Sequence, residues 1–116
     1  MKGLNKKNSF FGDGENLIAK EIGREINRLR RNMGLTGSEV ANYLGISQQQ
    51  QSRYENGVCL IRLDYLLILL HYLETTIDVF FKHVLSNVFK ENEEASLKYY
   101  NLFFPLEHDI KYPMIK

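Results

Sequence analysis

From Leu17 onward the chain has a regular hydrophobic rhythm. Ile18, Ile22, Ile26, Leu29 and Met33 recur every three or four positions with charged residues between them. That spacing puts them on one stripe of an amphipathic helix. Gly34 follows as a natural C′ residue. Thr36 with Glu39 three positions on matches a capping box and opens a second helix. Val40, Ala41 and Leu44 form its inner face and Gly45 stops it. Ser47 with Gln50 has the spacing of a second capping box, so a third helix runs to about Asn56, with Gly57 beyond it. Arg62 to Leu73 predicts a fourth helix, apolar almost all round. Thr76 caps a fifth through about Phe89, and Asn92 to Leu102 suggests a sixth before Pro105. No segment alternates as a strand would. The fold class expected is all-α.

Two of these helices are short and close together, joined by Gly45-Ile46-Ser47. A glycine-containing turn of about three residues between two helices is helix-turn-helix geometry. The glycine tolerates a left-handed backbone, and Ile46 can plug the angle between the helices. Residues 1–16 are rich in Asn, Gly and Lys without periodicity and read as a flexible arm. Residues 17–89 then form the helical domain and 90–116 a C-terminal helical extension.

Composition adds little until it is divided. The chain has 116 residues, suited to one domain, and a net charge of +1. The N-terminus has no apolar core of a signal peptide, and Leu63–Leu73 is too short to span a bilayer. A single cysteine excludes an internal disulfide. A cytoplasmic protein without membrane contact is expected. Residues 1–58 carry nine basic and six acidic side chains, a balance of +3, whereas residues 59–116 carry six and eight, a balance of −2. Four aromatics lie in the first part and ten in the second. The halves have different jobs.

Residues 18–81 resemble the Cro/C1-type helix-turn-helix regulators. The resemblance rests on Ile22, Leu29, Arg30, Leu35, Thr36, Glu39, Val40, Ala41, Leu44, Gly45, Ile46, Ser47, Tyr54, Glu55, Gly57, Leu66, Leu73 and Ile77. The run Ser47-Gln48-Gln49-Gln50-Gln51-Ser52-Arg53-Tyr54-Glu55 is similar to that of the MrpJ-like regulators encoded with fimbrial operons. The resemblance implies a five-helix lambda-repressor-like DNA-binding domain. It also implies an ion pair between Arg30 and Glu55 that ties the first helix to the third. The subgroup implies a repressor coupling fimbrial expression to flagellar motility.

Four positions depart from the family pattern. Gln51 stands where relatives bury an apolar residue, and a buried amide without partners costs roughly 1–3 kcal/mol. Gly37 stands where relatives often place a phosphate-touching glutamine, so only its N–H can serve. Ile61 replaces a proline, and Leu70 replaces a small residue.

Helical spacing gathers Gln48, Gln49, Ser52, Arg53 and Asn56 on one face of the third helix, with Gln51 and Tyr54 opposite. Glutamine can pair adenine and arginine can pair guanine in the major groove. Gln48 and Gln49 are expected to read bases, with Gln50 beside them, Arg53 to contact a base or phosphate, and Ser52 to fill in. Thr36, Gly37, Ser38, Ser47 and Asn56 are candidate phosphate anchors, because helix N-termini favour anions. His71, His83, His108 and Cys59 lack metal-ligand spacing, and no nucleophile–base pair or phosphate loop is evident. Glu91, Glu93 and Glu94 read as a solvated acidic cluster. No enzyme activity, metal, cofactor or small-molecule ligand is expected.

The fourth helix is too apolar for a small domain to cover alone, so a homodimer is expected. Leu67, Leu70, Phe80, Phe81, Tyr99, Tyr100, Phe103 and Phe104 are its candidate contacts. The function expected is a dimeric, sequence-specific regulator of double-stranded DNA. The alternatives are an antitoxin whose C-terminal half grips a toxin, and a helix-turn-helix module that binds protein.

Overall fold

Helix ends are set by short polar side chains and by left-handed residues. In the computed structural model, which describes residues 16–91, five helices follow one another. They are α1 (Leu17–Asn32), α2 (Gly37–Leu44), α3 (Gln48–Glu55), α4 (Leu63–Tyr72) and α5 (Ile77–Glu91). The expected arm, the sixth helix and Tyr99, Tyr100, Phe103 and Phe104 lie outside the described residues.

Asn16 starts α1, its Oδ1 accepting the Ala19 N–H at 3.1 Å. Thr36 and Glu39 complete the capping box at α2, the Thr36 hydroxyl accepting from Glu39 N–H and the Glu39 carboxylate from Thr36 N–H. Ser47 caps α3 by accepting from Gln50 N–H at 3.0 Å. The second box is only half made. The Gln50 side chain does not reach back to Ser47 but donates to Cys59 Sγ at 3.3 Å. Gly45 turns the chain between α2 and α3 at φ 75°. After α4 the same left-handed position falls to Glu74, at φ 60°.

The core forms where all five helices converge. Ile22 and Ile26 of α1, Val40 of α2, Tyr54 of α3, Leu66, Leu69 and Leu70 of α4, and Phe80 and Val84 of α5 are buried in it. Ile61 and Leu73 complete the cluster, and Ile46 packs against it from the turn. The larger Leu70 is thus absorbed by the core, as is the apolar side chain at 61. Leu85 and Val88 extend the packing toward Leu17 and Ile18.

Two expectations require correction. Met33 caps α1 and is 41% exposed, because the helix has already ended when its stripe reaches that position. Glu21 and Glu25 are buried among the supposed outward charges, each joined to the arginine three residues on. The reason is that α1 packs on both α3 and α5, which widens its buried arc. In keeping with its all-round apolar sequence, α4 is not fully covered by its own domain: Leu63, Leu67 and Ile68 remain exposed. No helix among the described residues is long and apolar enough to cross a membrane.

A close approach of backbones occurs at Gly23, buried in the middle of α1. A Cβ there would lie 2.3 Å from the Tyr54 carbonyl oxygen and 2.6 Å from that of Glu55. Those carbonyls belong to the end of α3. Gly57, at φ 72°, closes on Lys20 of α1 in the same way, its Cβ position 2.8 Å from Lys20 Cα. Glycine inside a helix costs about 1 kcal/mol relative to alanine. Here the clash outweighs that gain. Gly23→Ala is expected to lower the unfolding free energy by about 1–3 kcal/mol, as overpacking does. A urea midpoint equal to or above that of the wild type would contradict the packing constraint.

Candidate nucleic-acid interface

The third helix presents two chemically distinct sides. Its inward side carries Gln51 and Tyr54, both buried. Its outward side carries Gln48, Gln49, Ser52 and Arg53, with Asn56 at the C-cap, all exposed. Asn56 donates to the Ser52 hydroxyl at 3.2 Å, so those two are mutually oriented. Gln50 is set apart from the other glutamines. It is half-buried on the flank facing the α3–α4 connection and spends its amide on Cys59.

The orientation of α3 is held from below by the Glu55 carboxylate. Arg30 Nε donates to Glu55 Oε2 at 2.8 Å and Arg30 Nη2 to Oε1 at 3.0 Å. Asn27 donates to Oε1 at 2.7 Å and Gln51 to Oε2 at 2.8 Å. Arg30 Nη1 also donates to the Leu35 carbonyl at 2.7 Å, which brings the α1–α2 connection into the same network. The two charged side chains are 12% and 8% exposed. Gln51, the polar residue at an apolar position, therefore has a defined job for its amide nitrogen. Its Oε1 is buried and accepts no hydrogen bond from the described residues.

Burial alone would push the Glu55 carboxyl up. Hydrogen bonds from Arg30, Gln51 and Asn27, with the Arg30 charge, outweigh burial and hold it below its ordinary value. The Arg30 guanidinium is correspondingly raised, chiefly by its hydrogen bonds to Glu55.

The start of α2 lies on one flank of α3. Thr36 and Glu39 already satisfy each other there, so the backbone N–H groups of Gly37 and Ser38 are what that terminus offers an anion. Nothing lies within 4 Å of a Cβ built on Gly37, so a side chain would fit. A polar groove of about 290 Å³ runs past Gly37, bordered also by Arg31, Gln48, Ser52 and Asn56. It continues into a groove of about 330 Å³ along α1, bordered by Lys20, Arg24, Asn27, Arg31 and Asn56. These α1 side chains adjoin the exposed face of α3 and were not among the sequence candidates. Their signal was present: positions 20, 24, 27 and 31 fall on one helical face.

The candidate dimer residues divide. Leu67 is 48% exposed, whereas Leu70 and Phe80 are 2% and 1% exposed. Leu70 and Phe80 belong to the intrachain core, so their place on an outward surface is withdrawn. Phe81 is half-buried and meets Phe80 edge to face, ring centroids 5.2 Å apart.

Residues 21–79, just over half of the chain, match the family model for a helix-turn-helix domain. Two crystal structures of the clp gene regulator ClgR from Corynebacterium glutamicum share the fold. One, at 21% identity, aligns over 62% of this chain and 92% of that one with a TM-score of 0.57. The other, at 18% identity, aligns over 80% of this chain and 100% of that one with a TM-score of 0.63. No curated protein matches the chain.

The Glu55 hub makes two measurable demands. Glu55→Ala leaves the half-buried Arg30 without its partner and is expected to cost about 3 kcal/mol of stability. Because the folded carboxyl titrates below its ordinary value, its contribution is full above about pH 4.3 and is lost as pH falls through the lower folded value. Glu55→Gln should flatten that acid-side loss. Parallel wild-type and Glu55→Gln curves of unfolding free energy between pH 3 and 6 would contradict it.

Proposed function

We propose that the chain, which belongs to the helix-turn-helix domain family, is a DNA-binding transcription regulator, a sequence-specific repressor that reads the major groove with α3 as a dimer. One observation carries the proposal. Gln48, Gln49, Ser52 and Arg53 stand exposed on a short helix whose opposite side is locked to α1 by a buried, four-fold hydrogen-bonded carboxylate. Base readout needs side chains that are free to bond yet rigidly placed, and this arrangement supplies both. Gln48 and Gln49, in the first turn of α3, are the proposed adenine readers, and Arg53 contacts a guanine or a phosphate. Ser47 and Asn56 and the N–H groups of Gly37 and Ser38 set the register on phosphates. Thr36 acts there through its cap, and Gln50 as a support for the helix flank.

The dimer is supported by apolar side chains left in solvent. Leu63, Leu67 and Ile68 of α4 are exposed, together with Val58 and Leu60 before it. A second copy would cover such a surface, and a two-fold pair places two recognition helices one DNA turn apart, about 34 Å. The coupling of fimbrial expression to motility rests on the similarity of residues 47–55 to the MrpJ-like regulators.

Selection of bound fragments from a genomic library would supply the operator. Gln49→Ala should then lose about 1–3 kcal/mol of discrimination at one base pair of each half-site, measured by titration against single-base variants. Unchanged preference would remove Gln49 as a reader, and no selected sequence at all would remove the DNA-binding reading. Leu67→Glu should convert a sedimenting dimer to a monomer at micromolar concentration. A wild-type protein that already sediments as a single chain would overturn the dimer.

A further inference from the structure

A helix lying in the major groove has a phosphodiester strand along each flank, because the groove is barely wider than the helix. The two flanks of α3 differ sharply in charge. On one side run Lys20, Arg24 (paired with Glu21 at 3.1 Å), Asn27 and Arg31, one face of α1, bordering the polar groove that Asn56 closes. On the other side the α3–α4 connection exposes Val58 and Leu60, at 60% and 52%. Its single cation, Arg62, is already engaged. It meets the Asp64 carboxylate through Nε at 3.1 Å and Nη2 at 2.6 Å and lies over the Tyr65 ring.

Arg31 is the last of the α1 cations and borders both grooves, beside Gly37 and Gln48. Its side chain is exposed and makes no ion pair or hydrogen bond with a described residue. We infer that the α1 face 20–31 is the cationic wall for operator DNA, with Arg31 contacting a backbone phosphate next to the N-terminal turn of α3. The inference rests on the DNA-binding reading and adds to it a one-sided distribution of charge. Electrostatic anchoring comes from α1, and the connection between α3 and α4 contributes little. Arg31 then sets affinity and register without choosing sequence, since phosphates carry no base identity.

Salt dependence tests this on the full chain. Two duplexes serve as probes: one recovered by selection with the wild-type protein, and a scrambled duplex of equal length. Arg31→Ala should lower the slope of log K against log salt by about 0.9 per bound protomer. Each wild-type protomer then contributes about 3.5-fold more affinity loss than its variant between 50 and 200 mM salt. The loss should be the same factor on both duplexes, with an unchanged melting midpoint. Arg31→Lys should restore most of the slope, and Arg62→Ala should leave it untouched. Wild-type binding with an unchanged Arg31→Ala slope would overturn the inference alone. So would a loss confined to the selected duplex, or an Arg62→Ala change as large as that of Arg31→Ala. No wild-type binding even at 50 mM salt would overturn the DNA-binding reading, and the inference with it.

Discussion

The Glu55 carboxylate is the point on which the rest of the domain is hung. It accepts from Arg30 twice, from Asn27 and from Gln51. Those donors come from α1 and from α3 itself, while Arg30 also holds the Leu35 carbonyl in the connection to α2. One anion thus fixes three segments. Its position at the last residue of α3 is what allows the outward side of that short helix to stay polar and exposed. An eight-residue helix in isolation would not persist in water. Tertiary anchoring has to replace what an apolar stripe cannot provide, since only Gln51 and Tyr54 of this helix are buried.

The same anchoring requires contact between backbones. Gly23 lets α1 come against the carbonyls of Tyr54 and Glu55, and Gly57 lets the chain leave α3 beside Lys20. Only at that distance can Asn27 and Arg30, one and two turns further along α1, reach the carboxylate with short hydrogen bonds. Close packing and ion pairing are therefore a single device here. The helix-propensity cost of a glycine inside α1 is offset by the hydrogen bonds that the approach permits.

Much of this was legible in the residue order. Caps announced themselves: Thr36 with Glu39, Ser47 before the glutamines, and glycine after α1, α2 and α3 are local signals with local causes. The five described helices begin and end within about two residues of where those signals put them. The outward set of α3 also followed from spacing alone. What escaped was non-local. Whether Glu21 and Glu25 face water depends on α5, which is more than fifty residues away in the chain. Whether Leu70 faces a partner or the core depends on how α4 rotates, and an all-apolar helix carries no stripe to set that rotation. Gln50 looked like its neighbours until Cys59 came within reach. Gly23 was a visible irregularity in a helical pattern, but its reason lies in α3 rather than in α1.

Gln51 shows how a departure from a family pattern can be absorbed. An apolar residue at its position would leave Glu55 with Arg30 and Asn27 alone. The amide adds a fourth donor to a carboxylate that burial would otherwise push toward neutrality. Its own Oε1 is left without a described donor, so the gain is partial. The balance still favours keeping Glu55 ionised, because a charge half-removed from water gains more from one added donor than a neutral amide loses from one missing partner. The substitution therefore moves polarity inward to serve the ion pair. It does so without spending any of the outward residues on which base reading would rely.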